Sequence, residues 1–108
     1  MANDTPLTDA QITEALGRLP GWERDGDKIR KQFQFDSYLA GLAFASAVGV
    51  VAEGRDHHPD IAIGWRKVTV SYNTHAAGGK IIQRDIDAAT AIQALHYPPK
   101  GHEGEVAG

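Results

Sequence analysis

Three of the five histidines in this chain fall in two short segments, Asp56-His57-His58-Pro59 and Thr74-His75. A neutral imidazole offers one donor and one acceptor and titrates near about pH 6.5, so histidines clustered with a carboxylate suit proton transfer in neutral solution. Other chemistries compete for the same residues. Three imidazoles and Asp56 could complete a zinc or iron coordination sphere, although there is no His-Glu-x-x-His pattern, and Asp56 could equally orient a catalytic base. A nucleophilic serine is poorly supported, because Ser37, Ser46 and Ser71 stand in no Gly-x-Ser-x-Gly turn. Gly78-Gly79-Lys80 lacks the spacing of a phosphate-binding loop and reads as a connection.

For the two histidine segments to act together, the fold must bring them together. The residues from Asp60 to Gly64 and from Lys67 to Asn73 read as strands, the second alternating Val68, Val70 and Tyr72 with Thr69, Ser71 and Asn73. If Ile61 and Ile63 face the same way as Val68 and Val70, paired residue numbers sum to an odd value. A hairpin loop of two or four residues satisfies this, and His57 then stands opposite Tyr72 or Thr74. The free ends of the hairpin therefore carry both segments to one end of a sheet. Pro59 lacks a backbone donor and holds His58 extended, so an irregular approach could aim both neighbouring imidazoles at one cavity.

The remaining elements follow from capping and periodicity. Thr8 and Gln11 form a capping box and Leu7 with Ile12 a hydrophobic staple, which starts a helix whose stripe is Ile12, Ala15, Leu16 and Leu19. Trp22 to Arg24 can fold on Lys28 to Phe35 around Asp25-Gly26-Asp27, with Ile29, Phe33 and Phe35 facing inward. Asp36 or Ser37 caps a second, almost wholly apolar helix. Gly54 is expected to close it in a left-handed conformation, and Gly41, Ala45 and Gly49 make a stripe of small residues for close packing. Ala76 to Gly79 reads as a flexible link to a third helix from about Ile81 to Leu95, lined by Ile82, Ile86, Ala89 and Ile92, with Asp85 at the border of that stripe. The order α-β-β-α-β-β-α predicts an α+β two-layer sandwich, a four-stranded antiparallel sheet with three helices on one face.

Composition narrows the classes of function. A chain of 108 residues with 42% hydrophobic and 23% charged residues supports one domain, expected over residues 1–97, with a mobile tail over 98–108 that makes His102 irrelevant to chemistry. The absence of cysteine excludes disulfides, thiolate metal sites and a cysteine nucleophile. A net charge of −3 gives no general attraction to nucleic acid or acidic lipid. The uncharged run from Leu39 to Ala52 is shorter than the about 20 residues needed to span a bilayer and reads as a buried helix. No secretory signal is apparent at the start, so a cytoplasmic location is expected.

From Gly21-Trp22 to about Leu95 the sequence resembles the pterin-4a-carbinolamine dehydratases, also called dimerization cofactors of a hepatocyte nuclear factor. The specific residues are Glu53-x-x-Asp56-His57-His58-Pro59-Asp60, Lys67-Val68, Thr74-His75 and Arg84-Asp85-Ile86, in the family's order. The chain departs from the pattern after His75, where it is one residue longer, and at Ile81 or Ile82, where a capping Ser or Thr is common. The resemblance implies dehydration of a 4a-hydroxytetrahydropterin to quinonoid dihydropterin without a metal or other cofactor, in support of aromatic amino acid hydroxylases. It implies His57 and His75 as acid and base, with His58 holding the pterin and shaping the site. Trp22, Glu53, Asp56, Pro59, Thr74 and Asp85 are implied in substrate binding. Assembly into a homodimer or homotetramer is also implied. A non-catalytic role, as a transcription coactivator or a RuBisCO assembly scaffold, is known in relatives and stands as the alternative.

Overall fold

The computed structural model describes residues 4–95; the expected tail, with His102, lies outside the described residues. Helix α1 (Asp9–Leu16) is followed by β1 (Glu23–Asp25), β2 (Lys28–Gln34), α2 (Tyr38–Arg55), β3 (Asp60–Ile63), β4 (Lys67–Tyr72), a 3-10 turn (His75–Ala77) and α3 (Gln83–Gln93). The strands form one antiparallel sheet in the order β1-β2-β4-β3. Ile29, Phe33, Val68, Val70 and Tyr72 on one sheet face are buried with Ile12, Phe44, Val48, Ile86, Ala89 and Ile92 from the helices. The other face carries Arg30, Gln32, Thr69 and Ser71, none of them buried. One face covered by helices and one left open is the α+β arrangement expected from the element order.

The first helix starts as the sequence dictates. Thr8 Oγ1 accepts the Gln11 N–H at 3.1 Å and Gln11 Oε1 accepts the Thr8 N–H at 2.8 Å. The β1–β2 hairpin closes through Gly26, at φ +63°, with Asp25 opposite Lys28. Across β3 and β4 the register is Asp60↔Ser71, Ile61↔Val70 and Ile63↔Val68, continued by the Gly64 N–H donating to Lys67 O at 2.8 Å. This is the two-residue loop of the two considered. Carried three positions past Asp60↔Ser71, it sets His57 opposite Thr74.

Four expectations need correction. Helix α2 does not end at Gly54 but runs through Arg55, and Asp56 takes the left-handed conformation at φ 53° and ψ 41°. Gly41 packs closely, since a Cβ there would lie 3.4 Å from Val68 Cγ2, but Gly49 faces open space. Each four-residue step rotates by about 40° around a helix, so by Gly49 the stripe has drifted off the sheet. The helix is not buried all round either, because Leu39 and Val50 are each 73% exposed. The segment after Thr74 is not a loose link. Thr74 O accepts from Ala77 and Gly79, Lys80 O accepts the Thr74 N–H at 2.9 Å, and Gly78 and Gly79 supply the positive φ values of 74° and 78° that this tight turn needs. Helix α3 consequently begins at Gln83.

Candidate active site

The C-terminus of α2, the approach to β3, the end of β4 and the N-terminus of α3 meet at one edge of the sandwich. Helix α2 ends there in paired bonds, the His57 N–H donating to Ala52 O at 3.1 Å and the Asp56 N–H to Glu53 O at 3.2 Å. These are the two bonds of a Schellman ending, with Asp56 in place of the usual glycine. Aspartate tolerates the left-handed region better than most residues. The Arg84 guanidinium holds the turn by donating to Asp56 O at 2.8 Å. The chain therefore leaves the helix at His57, and Pro59 lies in the irregular link that runs into β3.

His57 is the only one of the three histidines that the fold encloses. Its side chain is 11% exposed, and its Nε2 lies 2.7 Å from Asp85 Oδ1. Asp85 is fully buried in the first turn of α3. Its Oδ2 accepts the Thr74 hydroxyl at 2.9 Å and the Ile82 backbone N–H at 2.9 Å. The second of these bonds is the return half of a capping box, the N3 carboxylate accepting from the N-cap backbone. A buried carboxylate needs donors on every side, and a carboxylate that only accepts assigns the Nε2 proton to His57. Nδ1 is then the lone-pair nitrogen of the neutral ring. The Thr74 oxygen stands 3.4 Å from the same Nε2, and among the described residues no group bonds to Nδ1.

Tyr72 completes the enclosure. Its ring lies nearly parallel to the His57 imidazole, with centroids 5.3 Å apart and planes 13° apart, and its hydroxyl donates to His57 O at 3.1 Å. Burial pushes the phenol up to about 12, with the Asp85 charge adding to the effect and Arg55 opposing it. The hydroxyl is thus a donor at every ordinary pH. A cavity of about 220 Å³ opens beside His57, lined by Gly54, Arg55, His57 and Arg84. A larger hollow of about 560 Å³ lies at the opposite end of the sheet among Gln34, Phe35, Trp65, Arg66 and Lys67. It holds no histidine or carboxylate, so the smaller cavity is the one placed for proton transfer.

The other sequence-predicted residues fall into three groups. Thr74 and Asp85 bond directly to each other and to His57, but the Asp85 oxygens are taken by protein donors rather than turned to the cavity. His58 pairs with Glu53 at 2.9 Å on the surface, with side chains 56% and 81% exposed, and His75 is exposed at the start of the 3-10 turn. Trp22 stands apart, buried against Phe33 and donating its indole N–H to Gln93 at 3.0 Å, at the other end of α3 from Asp85. Among the described residues no three His, Asp or Glu side chains converge as a metal-ligating group. Sequence reasoning gave no functional role to Tyr72, Arg55 or Arg84, although Arg84 stood in the family pattern and Tyr72 in the strand alternation. The register that sets Tyr72 or Thr74 opposite His57 was the available signal for the first, whereas the two arginines reach the cavity only through packing of α2 and α3.

Comparisons with known proteins point to one family. The family model described as pterin 4 alpha carbinolamine dehydratase matches residues 5–95. A protein of Roseiflexus sp. (strain RS-1), provisionally named a pterin-4-alpha-carbinolamine dehydratase, is 52% identical over 91 residues, covering 84% of this chain and 97% of that one. The crystal structure of a transcriptional coactivator/pterin dehydratase from Brucella melitensis superposes with a TM-score of 0.78 at 28% identity, over 84% of this chain and 98% of that one. A pterin dehydratase-like protein identified as a RuBisCO assembly factor in the alpha-carboxysome shares the fold, with a TM-score of 0.59 at 24% identity over 69% of this chain and 88% of that one.

Proposed function

The chain belongs to the pterin 4 alpha carbinolamine dehydratase family, and from that membership and the enclosed His57 we propose that it is a hydro-lyase acting on 4a-hydroxytetrahydropterins. The product is quinonoid dihydropterin plus water, one step in recycling the pterin that aromatic amino acid hydroxylases oxidise. The observation that carries the reading is the 2.7 Å bond from His57 Nε2 to the buried Asp85, beside a cavity. That bond fixes the tautomer with a free lone pair on Nδ1.

In the reaction His57 Nδ1 takes the proton from N5 of the substrate, the N5 electron pair forms the C4a=N5 bond, and the C4a–O bond breaks. The departing hydroxyl takes a proton from His75 and leaves as water. Each proton transfer by a positioned imidazole contributes about 10²- to 10⁴-fold. Asp85 and Thr74 act through His57, holding its ring rather than touching substrate. The cavity is smaller than the about 300 to 1,000 Å³ of ordinary ligand pockets. A bicyclic pterin reaching His57 therefore extends past the rim, where Glu53, Asp56, His58 and His75 supply acceptors and donors for its amide and amino groups. Self-association as a dimer or tetramer is supported by the exposed apolar side of α2, with Leu39 and Val50 each 73% exposed.

The test is turnover of freshly generated carbinolamine by the purified protein, with His57→Ala and His75→Ala as variants. We expect acceleration over buffer and a loss of about 10²-fold or more in each folded variant. Wild-type-like turnover in both variants refutes the assignment of the pair. No acceleration together with no pterin binding leaves the assembly or coactivator role in front, for which the apolar side of α2 is the candidate surface.

A further inference from the structure

The side chain that lies against His57 does a job that core packing alone does not require. Tyr72 is 1% exposed at the end of β4, one of the two inner strands of the sheet, and its ring covers one face of the imidazole in an offset stack. Its hydroxyl is bonded not to a neighbour across the core but to the backbone carbonyl of His57 itself. One residue thus grips the histidine at both ring and main chain, just after the left-handed turn at Asp56.

We propose that Tyr72 is a positioning residue for His57, holding the imidazole by its ring face and its main-chain carbonyl in the orientation and tautomer that proton transfer requires. The proposal rests on the reading of His57 as the proton-transfer group. Asp85 of α3 holds the ring at Nε2, and Tyr72 at the end of β4 holds its face and its main chain.

Two variants separate this role from packing. Tyr72→Met fills the space without an aromatic face, and Tyr72→Phe keeps the stack without the hydroxyl. The first readout is the pair of His57 ring nitrogen resonances, followed by NMR in the full chain without substrate. We expect Tyr72→Met to move them from the Nε2–H pattern toward an average of the two tautomers, and Tyr72→Phe to leave them near their wild-type positions. The second readout is turnover. Both variants are expected to lose kcat, by about tenfold for Met and about threefold for Phe, with KM changed less than twofold, because Tyr72 does not line the cavity. A Tyr72→Met protein that is less stable but keeps the wild-type His57 resonances and kcat reduces Tyr72 to core and overturns the proposal. If Met does not fold, an unaltered kcat in Tyr72→Phe overturns the anchoring role. Absence of dehydratase activity in the wild type would defeat the proposed function and yet leave the NMR shift to judge this inference.

Discussion

Replacing Asp85 by Asn keeps the shape of the side chain and changes only which atoms can donate. The native carboxylate accepts from Ile82 N–H and the Thr74 hydroxyl at one oxygen and from His57 Nε2 at the other. An amide can keep its oxygen on the first pair only by turning its NH₂ to Nε2. His57 must then accept at Nε2 and carry its proton on Nδ1, which removes the lone pair from the nitrogen proposed as the base. The opposite orientation sets the amide NH₂ against the Ile82 N–H and leaves that donor unpaired, at about 1 to 3 kcal/mol. Restoring the reactive tautomer therefore costs about that much, and the imidazolium formed in the reaction also loses its carboxylate. Together these predict a fall in kcat of about 10² to 10³-fold. KM should change less than about threefold, because Asp85 does not face the cavity. Losing charge-assisted bonds while relieving a buried charge should lower stability by about 1 to 2 kcal/mol, visible in urea unfolding. The assay is carbinolamine turnover on protein shown to be folded. A folded Asp85→Asn protein within threefold of the wild-type kcat would refute the tautomer argument. A raised KM at unchanged kcat would instead put Asp85 in substrate binding, as the family resemblance implies.

Three further outcomes test the fold and its electrostatics. Tyr72 is neutral in both states below its unfolded value of 10.0; above that the unfolded chain ionises while the folded one resists until about 12, so stability falls as pH rises through this window. The loss is about 2 kcal/mol and should be abolished in Tyr72→Phe, as checked by urea unfolding between pH 9 and about 12; an equal alkaline loss in the variant would refute it. Asp56→Gly relieves the left-handed backbone while keeping the carbonyl that Arg84 holds, so unfolding should show a gain of about 0.5 to 1 kcal/mol, and pterin turnover should drop if the carboxylate binds substrate. Thr8→Ala removes the acceptor for Gln11 N–H and should cost about 1 kcal/mol with turnover intact, measured by thermal unfolding and the dehydratase assay.

The sequence was most informative where the deciding physics is local. The Thr8 and Gln11 cap, the Gly26 turn and the alternation of Val68, Val70 and Tyr72 each depend on residues within a few positions, and each forms as expected. The β3–β4 register was narrowed to two choices by requiring one apolar face, and both delivered His57 beside the end of β4. Errors arose where two local solutions compete. Gly54 and Asp56 could each close α2, and the choice fell to Asp56, whose carbonyl is held by an arginine 28 positions away. The glycines after Thr74 looked like slack because their composition cannot report that Thr74 and Lys80 pair.

By itself, the sequence determined the layer order, the buried faces of β2 and β4 and the gathering of the histidine segments at one sheet end, since period and parity are properties of a chain with fixed backbone geometry. Only the tertiary structure separated three similar imidazoles. It enclosed His57 with Asp85, Thr74 and Tyr72, left His58 in a surface pair with Glu53, and left His75 on an exposed turn. The reason is that tautomer and solvation depend on which groups α3 and β4 press against each ring, and those contacts span up to 28 residues of sequence.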